Sequence, residues 1–273
     1  MNRFFYFVLL LLSFSFFNIK AQEEIVPKKR GQLYFTWGYN RDWYSSSTIH
    51  FYNTNPDPAK SYDFTLYDAK AHDNPDMENY WKPDRLTIPQ YDMTIGYQFN
   101  NKNDLGVEVS WNHLKYVVTD WQVVHIKGQI HGNPIDKVAP LNPDTVHLQH
   151  TNGNNYLLFN ITKKQDLLIH KYFQVSAIGK AGVGPMISYT ISTILGDNDL
   201  GYFHYHGWVA AVGVGVRVSF LRNFFIQSDM QGAYANYTDT VLGKNHDGRA
   251  THSFYSLQWT WEGGIIFPIG RTR

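Results

Sequence analysis

The sequence predicts an all-β chain, an eight-stranded antiparallel transmembrane β-barrel with long extracellular loops and short periplasmic turns. Three observations carry that expectation. Eight segments alternate apolar and polar residues with period two. Their connections run strictly long, then short. Finally, no apolar run reaches the roughly 20 residues that a helix needs to cross a bilayer.

The amino terminus points to export. Met1 to Arg3 is a short basic start, "FFYFVLLLLSFSFF" is an apolar core, and "NIKAQ" offers a small-residue cleavage point after Ala21. Residues 1–21 read as a secretory signal peptide and 22–273 as one outer-membrane barrel domain. The chain has no cysteine, which excludes a disulfide framework, a cysteine-based zinc site and a lipid-acceptor thiol. A net charge of +1 gives no basic face for nucleic acid. No cofactor is expected: "GKAGVG" from Gly179 lacks the Lys-Ser/Thr of a phosphate loop, and "DNPDMEN" has a proline where a calcium loop needs oxygens.

The elements follow in order. In "LYFTWGYN" Leu33, Phe35, Trp37 and Tyr39 oppose Tyr34, Thr36, Gly38 and Asn40; in "QYDMTIGYQF" Tyr91, Met93, Ile95 and Tyr97 oppose Asp92, Thr94, Gly96 and Gln98. "LGVEVSW" sets Val107 and Val109 against Glu108 and Ser110, and "NYLLFNI" sets Leu157 and Phe159 against Leu158 and Asn160. "FQVSAIGKAGVGPMISY" turns Val175, Ala181 and Val183 one way and Ser176, Lys180 and Ser188 the other.

"WVAAVGVGVRVSFL" has Trp208, Val212, Val214, Val216 and Val218 on one face, with Val209, Ala211 and Arg217 on the other. "FFIQSDMQ" sets Ile226 and Met230 against Gln227 and Asp229, and "FYSLQWTWEGGIIF" sets Trp259 and Trp261 against Thr260 and Glu262. The turns "NNKND", "TKKQD" and "LRN" are short and polar. The long first loop contains "STIHFYN" and "YDFTLYDAKAHDNPDMENYW", which read as strand extensions or a hairpin above the membrane.

Charge is costly on a lipid-facing wall and acceptable inside a closed barrel. Arg217 is therefore expected to point inward. Glu108, Lys180, Asp229 and Glu262 share its parity, and the five are expected to form one interior ion-pair layer that plugs the barrel. Trp43, Tyr44, Tyr80, Trp81, Trp121, Tyr202, Tyr205 and Trp208 are expected near the outer rim as an aromatic girdle. A rim that binds sugar or lipid is the alternative.

Most histidines fall in the expected external loops or at strand tops, as polar loop residues. In "HYH" the two-residue spacing puts His204 and His206 on one face, the arrangement a metal pair needs, whereas "HLQH" puts its two on opposite faces. In "THSF" a catalytic reading would pair Ser253 as nucleophile with His252 as base, but adjacent strand residues point oppositely.

The signal peptide, eight strands, alternating loops and the aromatic near the end in "IIFPIGRTR" resemble the small outer-membrane barrels of Gram-negative bacteria, the OmpA, OmpX, OmpW and PagL kind. The resemblance covers nearly all of the mature chain. It implies an outer-membrane location, contact with outer-membrane lipids and lipopolysaccharide, and an extracellular ligand or surface partner. Within the PagL kind, lipid A deacylases carry a histidine and a serine separated by one residue.

Three functions are thus open. The first is a structural or surface-interaction barrel. The second is a binder or carrier of small apolar molecules, with interior-facing Leu158, Ile178 and Met186 as its pointer. The third is a lipid A-modifying hydrolase.

Overall fold

A computed structural model describes residues 31–53, 55–99 and 104–269. The signal segment 1–21, most of the turn "NNKND" and the tail after Ile269 lie outside the described residues. The strands are β1 (Gly31–Tyr44), β2 (Ser47–Asn53), β3 (Tyr62–Ala69), β4 (Ala71–His72), β5 (Tyr91–Gln98), β6 (Leu105–Val118) and β7 (Val123–Ile130). There follow β8 (Asn133–Pro140), β9 (Val146–Ile169), β10 (Phe173–Ile194), β11 (Asp197–Asp199), β12 (Phe203–Phe220), β13 (Phe224–Leu242) and β14 (Gly248–Ile269). Among the described residues no helix is long and apolar enough to cross a membrane.

Eight of these strands close a ring in the order β1, β5, β6, β9, β10, β12, β13, β14, with β14 pairing back onto β1 from Gly31↔Ile269 to Tyr44↔Ser256. Every neighbouring pair is antiparallel. The eight expected segments all lie on these strands. Their parity is also as read: Val212 and Val214 are 66% and 67% exposed on the outer wall, while Arg217 is 4% exposed inside. The β12–β13 turn is tight, with Leu221 and Arg222 both in the left-handed region. One expected turn is displaced, because β9 continues through "TKKQD" to Ile169 and pairs with β10 there. Its amides find ladder partners, so the chain turns only at His170.

Above the ring the sheet runs on from β14 as a four-stranded extension, here called the crown. The upper end of β14 pairs with β2, β2 with β3, β3 with β7, and β7 with β8. "STIHFYN" and "YDFTLYDA" therefore form the expected hairpin. The β7–β8 hairpin was not legible, because β8 is an exposed edge strand bearing Pro134 and Pro140 and shows no apolar alternation.

The crown's inner face, with Ile49, Phe51, Phe64, Leu66 and Val124, is buried. It belongs to the same apolar cluster as Tyr116, Tyr156, Leu158, Met186, Tyr237 and Phe254 in the upper barrel. Tyr44 departs from the expected outer girdle: its even parity turns it inward, edge-on to Tyr116 and Phe254, with its hydroxyl donating to the Lys115 carbonyl at 2.9 Å.

Phe64 is stacked on Phe51 at 5.3 Å with nothing to refill its space. Phe64→Ala is expected to destabilise the crown by about 3–5 kcal/mol. Limited proteolysis should then cut the β7–β8 hairpin at lower temperature, while the ring keeps its heat-resistant gel migration.

Candidate functional site

The lower interior is a polar network built from inward-facing positions of every ring strand. Lys180 Nζ lies 2.9 Å from Asp229 Oδ2, and both side chains are buried. Gln227 bridges to the next cation: its Nε2 donates to Asp229 at 2.8 Å and its Oε1 accepts from Arg217 Nε at 2.7 Å. The guanidinium is held between rings, 4.0 Å from the Phe225 centroid and 4.6 Å from that of Tyr34. The Tyr34 hydroxyl donates to Glu108 at 2.7 Å, Asn160 donates to Glu108 at 3.2 Å, and Thr36 donates to Glu262 at 3.0 Å.

All five residues expected to form one ion-pair layer face inward with buried side chains, and their individual contacts differ. Lys180 and Asp229 form the direct pair. Arg217 takes a neutral amide from Gln227 and two aromatic faces, those of Phe225 and Tyr34. Glycine makes room for this crowding: a Cβ at Gly215 would collide with Asp229 Oδ1, and one at Gly38 with the backbone of Trp261 and Glu262. Higher up, Asp92 accepts from Asn40, Asn112 and Gln258.

The upper interior is different in kind. His150, His206 and His252, expected as polar loop residues, are buried there around Tyr237. Tyr237 stacks on His150 at 4.4 Å and lies 4.6 Å from His252, while its hydroxyl contacts Ser188 and donates to Asn154. The reason is length: β9, β12, β13 and β14 all continue beyond the expected membrane segments, so what looked like loop histidines occupy inward strand positions.

The hydrogen bonds settle what these histidines can do. Ser47 Oγ donates to the Ser253 carbonyl at 3.0 Å and lies 3.2 Å from His252 Nδ1. A hydroxyl has one hydrogen, so both contacts are satisfied only if His252 Nδ1–H donates to Ser47. With its hydrogen on Nδ1, His252 cannot take the Ser47 proton through that nitrogen, and its Nε2 is buried without a hydrogen-bond partner. The expected partner, Ser253, lies on the opposite side of β14 from His252, as its adjacent position dictates.

His204 and His206 do share a face, with ring centroids 3.7 Å apart. Their nitrogens are already engaged. His206 Nε2–H donates to the Ser188 carbonyl and its Nδ1 accepts from Thr240; His204 contacts the Tyr202 carbonyl through Nδ1 and the Val241 amide through Nε2. Among the described residues no group of three or more His, Cys, Asp or Glu side chains is arranged to hold a metal.

The crown surface carries cross-strand pairs and a polar pocket. His50 lies 2.8 Å from Asp63, and Asp136 is reached by His125 at 2.7 Å and Lys127 at 3.3 Å. Hydrogen bonds from His125 and Lys127 hold the Asp136 carboxyl below the usual carboxylate range, so this β7–β8 link is present above that range and weakens as pH falls through it. A pocket of about 450 Å³ opens between the β2–β3, β10–β11 and β13–β14 connections, lined by Asn55, Lys60, Tyr62, Asp197, Lys244 and Asp247 among others. Sequence reading missed this pocket, since its residues meet only when these connections and His131 of the β7–β8 turn converge.

Lys180→Met strips Asp229 of its ion pair inside the barrel and is expected to cost about 3–5 kcal/mol. The double variant Lys180→Met with Asp229→Leu should recover most of it, read as urea midpoints of the refolded barrel. Arg217→Ala, which removes the ring-held cation, should lower the temperature at which the folded band is lost in the gel-shift assay.

No protein-family model matches the chain, and no curated protein sequence matches it. Among solved structures it is similar to the outer membrane protein OprG of Pseudomonas aeruginosa, at 12% identity over 92% of this chain and 100% of that one, with a TM-score of 0.38. It is also similar to the outer membrane protein AlkL, at 13% identity over 94% and 99% of the two chains and a TM-score of 0.38. A third is Ail, the attachment invasion locus protein of Yersinia pestis, at 12% identity, 87% and 99% coverage and a TM-score of 0.33. The transmembrane barrel itself rests on the closed ring and the lipid-facing wall of this chain.

Proposed function

We propose that the protein is an integral barrel of a Gram-negative outer membrane that holds a rigid crown at the cell surface, where it meets an extracellular ligand or partner. The observation that carries this reading is the continuity of the filled interior. From the Lys180–Asp229 pair to the crown's Phe51 and Phe64, buried side chains follow one another, and the upper barrel and crown share one apolar cluster. A core shared between two parts resists their separation, so the crown is presented in one orientation. Outer-membrane lipids and lipopolysaccharide surround the wall in this reading.

The crown pocket supplies amide, carboxylate, ammonium and phenol groups, a set suited to a polar, hydroxyl-rich ligand such as a surface saccharide. The carrier reading has less support, since Leu158 and Met186 are consumed by the core. The hydrolase reading draws no support from His252 and Ser253, which occupy opposite sides of β14.

Purified protein in planar bilayers should show no steady conductance in molar salt, and inverted or intact-cell protease treatment should reach the crown only from outside. Stable single-channel steps would replace this reading with that of a channel.

A further inference from the structure

The connection from β4 to β5 does not stand up from the rim. Met77 to Ile88 forms a strap of short turns, closed by Asn79 N to the Asp76 carbonyl, Tyr80 N to Met77, Lys82 N to Asn79, Arg85 N to Lys82 and Ile88 N to Arg85. It leans on the outside of the barrel. Tyr80 stacks face to face on Tyr39 at 4.5 Å and 2°, the Tyr39 hydroxyl donates to the Tyr80 carbonyl at 3.0 Å, and Tyr80 lies 6.1 Å from Trp261. Tyr39 and Trp261 are outward-facing wall residues.

The depth of this contact can be bounded. Tyr39 lies four positions below Trp43, an outward wall tryptophan that is 51% exposed. Four residues on a strand tilted by ~40° descend only ~10 Å. The apolar band of such barrels is ~25 Å tall, so the strap meets the wall at or just inside the band's upper edge.

Its exposed face fits that depth. Residues 81–88 are all exposed, and Met77, Trp81, Leu86 and Ile88 are apolar. Irregular backbone is not tolerated in bare hydrocarbon, but a chain that closes part of its amides in its own turns and leaves the others to headgroup water can lie at the boundary between headgroups and acyl chains. Lys82 and Arg85 both reach Asn79 Oδ1, at 2.9 and 3.4 Å, which sets two cations side by side on the strap. Long basic side chains at this height extend toward lipid phosphates while their stems stay in apolar surroundings.

We propose that residues 77–88 are an interfacial anchor that beds Met77, Trp81, Leu86 and Ile88 into the outer leaflet beside the barrel wall. The proposal rests on the transmembrane reading of the ring, and its partner is the lipid surface rather than another protein. The continuity of the strap with the lipid-facing wall at Tyr39 and Trp261 favours that choice.

The absence of cysteine makes the test direct. Single variants Trp81→Cys, Ile88→Cys, Val212→Cys and Val138→Cys are labelled with an environment-sensitive fluorophore and refolded at low density into phosphatidylcholine vesicles, with and without brominated lipid. Val212 reports the wall and Val138, 69% exposed on β8, reports the water-facing crown.

Positions 81 and 88 are expected to be quenched by brominated lipid and to resist aqueous iodide severalfold better than position 138. If 212 is lipid-quenched while 81 and 88 behave like 138, the strap stands in water and the anchor is overturned. If 81 and 88 are shielded from both quenchers, a protein surface covers them and the anchor is equally overturned. If 212 itself escapes lipid quenching, the barrel reading fails first.

Discussion

Every backbone amide that enters hydrocarbon must be bonded to another group of the chain, and the rest of this structure depends on how that demand is met. The solution is closure, with β14 paired along the full length of β1 so that the ring has no edge. Closure fixes two faces for each strand, one against lipid and one sealed inside. Arg217 can then sit in a valine run: on β12 its neighbours Val216 and Val218 look outward while its own side chain enters a lumen with partners waiting.

The lumen is divided by chemistry. Near the turn rim, charge is buried together with amides, hydroxyls and rings that satisfy it, so desolvation is offset by hydrogen bonds rather than by a dense set of ion pairs. Toward the loop rim the same strands carry tyrosines, phenylalanine and three histidines, and the packing becomes that of an ordinary protein core. The histidines and Tyr237 lie where the strands run on beyond the eight expected wall segments. Above them a second layer is needed, and the crown provides one.

Two features outside the ring follow from the shortness of β5. The strand stops at Tyr91, whereas its neighbours β1 and β6 run on upward to Tyr44 and Val118. The wall there is completed by the short β4, which pairs with Val117 and Val118 of β6, and by side chains, with the Tyr44 hydroxyl on the Lys115 carbonyl and Gln90 on Asn40 and Asp42. The chain before β5 is thereby free to fold outward against Tyr39 and Trp261 instead of continuing the ladder.

Period-two alternation determined the eight wall strands, the side on which each residue falls and the inward course of Arg217, Lys180, Asp229, Glu108 and Glu262, because in a strand parity depends only on position along the chain. Spacing likewise separated the two histidines of "HLQH" and set Ser253 opposite His252. Only the tertiary structure decided which inward groups meet: Arg217 on Gln227, Phe225 and Tyr34, Ser47 on His252, His150 against Tyr237. Those contacts bring together residues far apart in sequence through register, strand length and loop convergence, and none of these is encoded in the local pattern of any single segment.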